Sequence, residues 1–157
     1  MVRFEPEPSR RLLTGQLLWF GLWLAITALG LWLHPNPSGH GTHTQLGLPP
    51  CPSVLVMGRP CPGCGLTTSW ANVLHGNLGA AWSANPFGPV LYVGFTLSAF
   101  LCLVGWCRRL RLDLTGRAFN NSALALMAVF LAFAVVRFFV TPEYSVTERF
   151  GSIARTR

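Results

Sequence analysis

Charged residues are scarce in this sequence: they make up 11% of its 157 residues, whereas soluble globular domains carry about 25%. Because a water-facing shell is hard to build from so few charges, the composition argues against a soluble protein. Lysine is absent, so all 12 basic residues are arginine, and with five acidic residues they give a net charge of +7. The arginines flank long apolar runs and do not alternate with aromatic residues on a polar surface, which argues against nucleic-acid binding.

Motifs of several enzyme classes are also missing. We find no phosphate-cradling glycine loop, no serine nucleophile motif and no metalloprotease helix motif. Asp113 falls between apolar runs, and Glu143 and Glu148 follow the last one, so no pair of carboxylates is placed for buried acid–base catalysis. The chain length supports one compact domain over residues 1–157.

Three apolar runs, over residues 12–33, 87–107 and 123–140, are the dominant feature of the sequence. At 1.5 Å per residue, a helix of about 20 residues crosses roughly 30 Å of hydrocarbon. We predict that Asn120-Asn121-Ser122 caps the third helix, and that Arg137 in its last turn extends toward the lipid headgroups. The predicted fold is an all-α integral membrane protein with about three transmembrane helices.

The stretch from 66 to 84 has no charge but is interrupted by glycines, and we predict two short interfacial or re-entrant helices, 65–75 and 78–84, with Asn77 as an N-cap. Arginine placement tests this choice for an N-terminus in the cytoplasm. The inner side then contains Arg3, Arg10, Arg11, Arg108, Arg109, Arg111 and Arg117, and the outer side contains Arg59, Arg149, Arg155 and Arg157. A fourth span would change this seven-to-four ratio to six against five, so the positive-inside rule favours three spans, with the loop 34–65 outside.

Three of the five cysteines, Cys51, Cys61 and Cys64, lie in the loop 34–65, which is rich in proline, glycine and histidine. The local sequence is C-P-S-V-L-V-M-G-R-P-C-P-G-C-G-L-T. Prolines fix φ and glycines permit positive φ, so we expect the three thiols on a tightly turned backbone. Cys102 and Cys107 lie in the second apolar run and are assigned as packing thiols.

The wider pattern resembles a known family. It comprises Cys51-Pro52, Gly58, Pro60 to Thr67, Gly76-Asn77-Leu78, Ala81 and Asn85-Pro86. This pattern is similar to the signature of a bacterial membrane-protein family catalogued as domain of unknown function 2752, over about a quarter of the chain. The resemblance implies a small multi-pass protein of the bacterial cytoplasmic membrane and implies no specific activity. Thr68 departs from the family pattern, which usually has arginine at this place.

One hypothesis for the cysteine loop is a metal site. The thiolates of Cys51, Cys61 and Cys64 would supply three ligands of a tetrahedral site, for which zinc is the first candidate. A fourth ligand is then needed, and His43 or His40 in the same loop is the candidate. The sequence lacks a second C-x-x-C pair, which weakens the comparison with zinc ribbons.

Two further hypotheses remain open. Cys61 and Cys64 form a C-P-G-C pair before a predicted helix, whose dipole favours a reactive thiolate, as in a redox-active pair. Alternatively, a disulfide fixes the loop, since thiols outside the cytosol tend to pair. We favour a non-enzymatic subunit or assembly factor with a disulfide-stapled or metal-binding loop, in contact with lipid and other membrane proteins; the alternative is a membrane thiol-disulfide oxidoreductase.

Overall fold

The computed structural model describes residues 3–6, 9–113 and 117–141. Three of its helices are long: α1 (Arg10–Trp32), α5 (Phe87–Arg108) and α6 (Arg117–Val140). The shorter elements between them are a 3-10 helix at Thr42–Leu46, α2 (Pro52–Met57), α3 (Leu66–Leu74) and α4 (Leu78–Ala84). Two strands, β1 (Arg3–Pro6) and β2 (Leu110–Asp113), complete the described elements.

The three long helices contain segments long and apolar enough to cross a membrane: Leu13–Trp32, Phe87–Arg108 and Phe119–Val140. They confirm the predicted all-α membrane fold with three spans and shorter helices. With nine and seven residues, α3 and α4 are too short to cross a bilayer.

Two predictions about helix starts have different outcomes. Asn77 does occupy the N-cap position of α4, although its side chain makes no capping hydrogen bond. The predicted cap of the third helix at residues 120–122 is wrong, because α6 already begins at Arg117 and continues through these residues. The residues just before this polar stretch, Ala118 and Phe119, are also compatible with a helix, so the helix can begin upstream of it.

By its contacts the chain divides into two units, the first of which takes the described residues of 1–29 and 91–128. In this unit, α1 and α5 are joined by side-chain hydrogen bonds at regular intervals. These are Trp19 Nε1 to Ser98 Oγ (3.0 Å), Trp23 Nε1 to Thr96 Oγ1 (3.0 Å), and the hydroxyl pair of Thr27 and Tyr92 (2.8 Å). In an apolar environment such polar pairs stabilise helix association by about 0.6 kcal/mol each on average.

The two-stranded sheet in this unit has no counterpart among the elements predicted from the sequence. β1 and β2 pair antiparallel, with Arg3 opposite Asp113 and Pro6 opposite Leu110. Helix α5 ends where Arg109 adopts a positive φ of 55°, which turns the chain into β2. The amide of Gln16 on α1 donates to the carbonyl oxygen of Leu110 at 3.2 Å.

The second unit takes residues 30–90 and the described residues from 129 onward, and it contains the cysteine loop. Helices α3 and α4 occur where two short helices were predicted. Buried Ser69 joins them, because the carbonyl oxygens of Ala81 (2.8 Å) and Asn85 (3.1 Å) share its single hydroxyl proton. Trp70 Nε1 donates to the carbonyl oxygen of Gly88 at 2.8 Å. These bonds fix α3 against α4 and the first turn of α5.

Candidate functional site

The thiols of Cys51, Cys61 and Cys64 come together in one cluster in the second unit. The sulfur of Cys61 lies 3.4 Å from that of Cys51 and 3.4 Å from that of Cys64. All three sulfurs lie within 4.8 Å of one another. The three residues are free thiols; Cys64 is buried, and the other two are half-buried. This thiol cluster is the candidate functional site.

Local backbone geometry brings the thiols together. Cys51 is the N-cap of α2, and its carbonyl oxygen accepts the N–H of Leu55 at 3.1 Å. Gly58 ends this short helix with a φ of 66° and reverses the chain toward the second and third cysteines. A tight turn then places Cys64 over Cys61, since the N–H of Cys64 donates to the carbonyl oxygen of Cys61 at 3.0 Å.

Gly65 is a position next to the thiol cluster where a glycine is required. Its φ is +78°, and a Cβ atom there would lie 2.5 Å from the carbonyl oxygen of Ala84 and 2.8 Å from that of Gly39. Both oxygens belong to the backbone, so neither can move aside as a flexible side chain would. The glycine therefore permits α3 to begin directly after the last cysteine, against the end of α4.

Two side chains bind the carbonyl oxygen of Cys64. Asn85, which is fully buried, donates from Nδ2 at 3.1 Å, and Arg137 of α6 donates from Nη1 at 3.0 Å. The other terminal nitrogen of Arg137 donates to the carbonyl oxygen of Ala84 at 2.7 Å. The prediction that Arg137 extends toward lipid headgroups is therefore wrong, because the carbonyls at the thiol turn and at the end of α4 provide closer acceptors.

A second arginine connects the loop to α6. The guanidinium of Arg59, which lies between Cys51 and Cys61 in the sequence, donates to the carbonyl oxygen of Phe138 at 3.2 Å. Its central carbon also lies 5.7 Å from the centre of the Phe138 ring, within the range of a cation–π contact. The end of α6 is thus bound both by the loop and through the thiol turn.

The thiols differ in their electrostatic environment. Burial opposes ionisation of Cys51, but the backbone N–H of Val54 and the two neighbouring thiols outweigh it, so the pKa of Cys51 is lowered. Burial, followed by the charge of Cys61, raises the pKa of Cys64 well above the ordinary range. Without a metal, Cys51 is therefore the more readily ionised and Cys64 the more firmly protonated of these two residues.

A cavity of about 280 Å³ adjoins the cluster and is lined by all three cysteines together with His40 and His43. His40 Nδ1 lies 3.0 Å from the carbonyl oxygen of Ser38, and His43 Nε2 lies 3.3 Å from that of Pro49. Neither imidazole belongs to the group of mutually close ligand atoms, which consists of the three sulfurs. A fourth ligand from His43 or His40 stays a prediction.

The spacing of the sulfurs fits a thiophilic metal ion. Zinc–sulfur bonds of about 2.3 Å in a tetrahedron separate neighbouring sulfurs by about 3.8 Å. The observed distances of 3.4 Å are within a few tenths of an ångström of that value. The same distances are also compatible with closure to a disulfide after a small movement, so the cluster can bind a metal or form a disulfide.

Sequence reasoning missed the residues that support the thiols. Asn85 belongs to the family-like pattern, but no role followed from its position, and Arg137 was assigned to lipid. A charged residue inside an apolar run is itself a signal of function, and it was available for Arg137. Thr68, which departs from the family pattern, is buried and its hydroxyl lies 2.8 Å from that of Thr42, so it links α3 to the 3-10 helix.

No curated protein and no solved structure matches the chain. The family model described as "Protein of unknown function (DUF2752)" matches residues 51–99. This segment begins at the first cysteine of the cluster and runs through α2, α3 and α4 into α5. The match confirms the family resemblance predicted from the sequence over these residues.

Proposed function

We propose that this chain is a non-enzymatic component of a bacterial cytoplasmic membrane that binds a thiophilic metal ion, with zinc as the first candidate, through Cys51, Cys61 and Cys64. The observation that carries the proposal is the mutual proximity of three sulfurs within 4.8 Å. Zinc bound by three thiolates would hold the loop in a fixed shape and leave a position for a fourth ligand, His43, His40 or water. Such a loop would act as a rigid recognition element for other membrane proteins, in a subunit or an assembly factor.

The topology supports a common location for the loop and several helix ends. The second unit contains the C-terminal ends of α1 and α6 and the N-terminal end of α5. When these helices cross a bilayer, all three ends emerge on one side, together with the loop. With the N-terminus in the cytoplasm, as the arginine distribution favours, this is the outer side.

Metal analysis of the purified protein tests the proposal. We expect about one zinc ion per chain in the wild type and in Cys102→Ser, which serves as the matched control outside the cluster. Serine at any of the three loop cysteines should abolish stoichiometric zinc. Alkylation followed by mass spectrometry should modify the three thiols only after a chelator is added. Wild-type protein without zinc, whose loop thiols are alkylated equally with and without chelator, would contradict metal binding.

A second candidate function is thiol–disulfide exchange, and the central position of Cys61 favours it. Its sulfur is 3.4 Å from both other sulfurs, so it can pair with either. Formation of a disulfide would transfer two electrons and two protons to an acceptor disulfide, which becomes a dithiol. A Cys61–Cys64 bond that exchanges rapidly with a small dithiol would support this function, whereas a stable bridge to Cys51 would support a structural staple.

Membrane orientation needs its own experiment. A membrane-impermeant thiol reagent applied to intact cells should label a metal-free cysteine loop. It should not label a cysteine introduced in place of Arg111 in a variant whose loop cysteines are replaced by serine. Labelling of residue 111 but not of the loop would place the loop in the cytoplasm and contradict the proposed orientation.

A further inference from the structure

Arg137 lies in the last part of α6, and its guanidinium joins this helix to the thiol turn. A cation within an apolar, membrane-spanning helix is costly unless it finds partners. Here the two terminal nitrogens of the guanidinium donate to two different backbone carbonyls, those of Cys64 and Ala84. Because the guanidinium is planar, two such bonds fix its direction as well as its position.

The bond to Cys64 restrains the buried member of the thiol cluster. A carbonyl oxygen has two lone pairs, and in Cys64 these are directed to Arg137 and Asn85. The Cα and Cβ atoms of Cys64 link this carbonyl to its sulfur, so fixing the carbonyl restricts the positions that the sulfur can occupy. A metal ion requires the sulfur within about 0.2 Å of its ideal distance, and a restrained backbone lowers the entropy lost on binding.

From this geometry we propose that Arg137 is a positioning residue of the thiol cluster and couples occupation of the cluster to the C-terminal end of α6. The inference rests on the proposed metal binding, and the Arg137 hydrogen bond to Cys64 is the contact that links the metal site to α6. Linkage between two equilibria is reciprocal. The factor by which the Arg137 bond strengthens metal binding is therefore the factor by which bound metal strengthens the attachment of α6.

Zinc affinity, measured by competition with a chromophoric chelator on full-length protein in detergent, tests the positioning role. Loss of a residue that orients a metal ligand typically lowers affinity about 10–100-fold, and we expect this range for Arg137→Gln. Arg137→Lys keeps the charge but has one donor nitrogen in place of the two that bind Cys64 and Ala84, so it should recover part of the affinity. Arg59→Gln is the matched control: it removes the guanidinium bond to the carbonyl oxygen of Phe138 at the end of α6, and its zinc affinity should fall much less than that of Arg137→Gln.

Hydrogen exchange of peptides covering residues 133–141 tests the coupling. Zinc should slow exchange in the wild type and in Arg59→Gln, and should slow it much less in Arg137→Gln, where, of the two arginines, only Arg59 still joins the loop to the end of α6. A merely structural role for Arg137 would not make the response to zinc depend on this one side chain. Equal loss of affinity in Arg59→Gln and Arg137→Gln, or a zinc response as large in Arg137→Gln as in the wild type, would overturn the proposal.

Alkylation of the metal-free protein tests the positioning role of Arg137 independently of zinc binding. If wild-type protein fails to bind zinc, the proposed metal site is wrong, but the rate at which iodoacetamide modifies Cys64 still reports its restraint. A faster rate in Arg137→Gln, with the rate at Cys51 unchanged, would support the positioning role alone, and an unchanged rate at Cys64 would overturn it. If Arg137→Gln loses its helical circular dichroism, the same comparisons between Arg137→Lys and Arg59→Gln decide the question.

Discussion

Substitution of Gly65 by alanine is the sharpest test of how the thiol turn is built. A residue with a Cβ atom at the positive φ of +78° costs about 1–2 kcal/mol. The new atom would also lie 2.5 Å and 2.8 Å from the carbonyl oxygens of Ala84 and Gly39, which must retreat by about 0.9 Å and 0.6 Å to reach an ordinary 3.4 Å contact. Overpacking of this kind typically costs about 1–3 kcal/mol. The expected loss of stability is therefore about 2–5 kcal/mol.

Two other glycines separate these contributions. Gly76 has an almost identical φ of +79°, and a Cβ atom added there would have no neighbour within 4 Å, so Gly76→Ala should cost only about 1–2 kcal/mol. Gly63 has neither a positive φ nor a close neighbour, and Gly63→Ala should stay within about 0.5 kcal/mol of the wild type. Thermal unfolding in detergent, followed by circular dichroism, should give the largest decrease in Tm for Gly65→Ala, at about 2–4 °C per kcal/mol. Equal decreases for Gly65→Ala and Gly76→Ala would refute the close packing of the turn.

Three further tests address other contacts. Asn85→Ala removes a fully buried donor to the carbonyl oxygen of Cys64 and the acceptor of the Phe87 N–H. Thermal unfolding should show a loss of about 1–3 kcal/mol, and a loss below about 0.5 kcal/mol would contradict both bonds. At neutral pH without metal, iodoacetamide should modify Cys51 before Cys64, because the lowered pKa of Cys51 favours the reactive thiolate and the raised pKa of Cys64 disfavours it. Peptide mass spectrometry measures the order of modification, and the reverse order would contradict these pKa directions. Trp23→Phe keeps an aromatic ring but removes the N–H that donates to Thr96. Thermal unfolding should show a loss of stability of about 0.6 kcal/mol, and an unchanged stability would indicate that this bond does not stabilise the pairing of α1 with α5.

Hydrophobic length made the three long helices predictable. Residues 12–33 and 87–107 nearly coincide with α1 and α5, because an uncharged run of that length has few alternatives to a helix in lipid. The start of α6 was harder to predict, because the polar residues at 120–122 resemble an N-cap but the helix continues through them. The β1–β2 pairing was not predictable, because four-residue strands carry little periodicity and their partners are far apart in sequence.

The proximity of the thiols also followed from the sequence, in part. The spacing of Cys61 and Cys64 indicates a tight turn, whereas the approach of Cys51 depends on α2 and the reversal at Gly58. The position of Arg137 in an apolar run signals a function, but its partners could not be predicted from the sequence. Arg137 is 73 residues from Cys64, and a snorkelling side chain has the same sequence pattern as one bound to backbone carbonyls. Only tertiary structure distinguishes these two environments.

The pairing of β1 with β2 has a consequence for biosynthesis. Arg3–Pro6 leaves the ribosome more than 100 residues before its partner Leu110–Asp113. At synthesis rates of about 5–20 residues per second, the first strand remains without its partner strand for roughly 5–20 s. Since β1 precedes α1 and β2 follows α5, the two strands can meet only after both helices have been threaded into the bilayer in opposite directions. Closure of this small sheet would therefore mark the moment at which the first two crossings are complete.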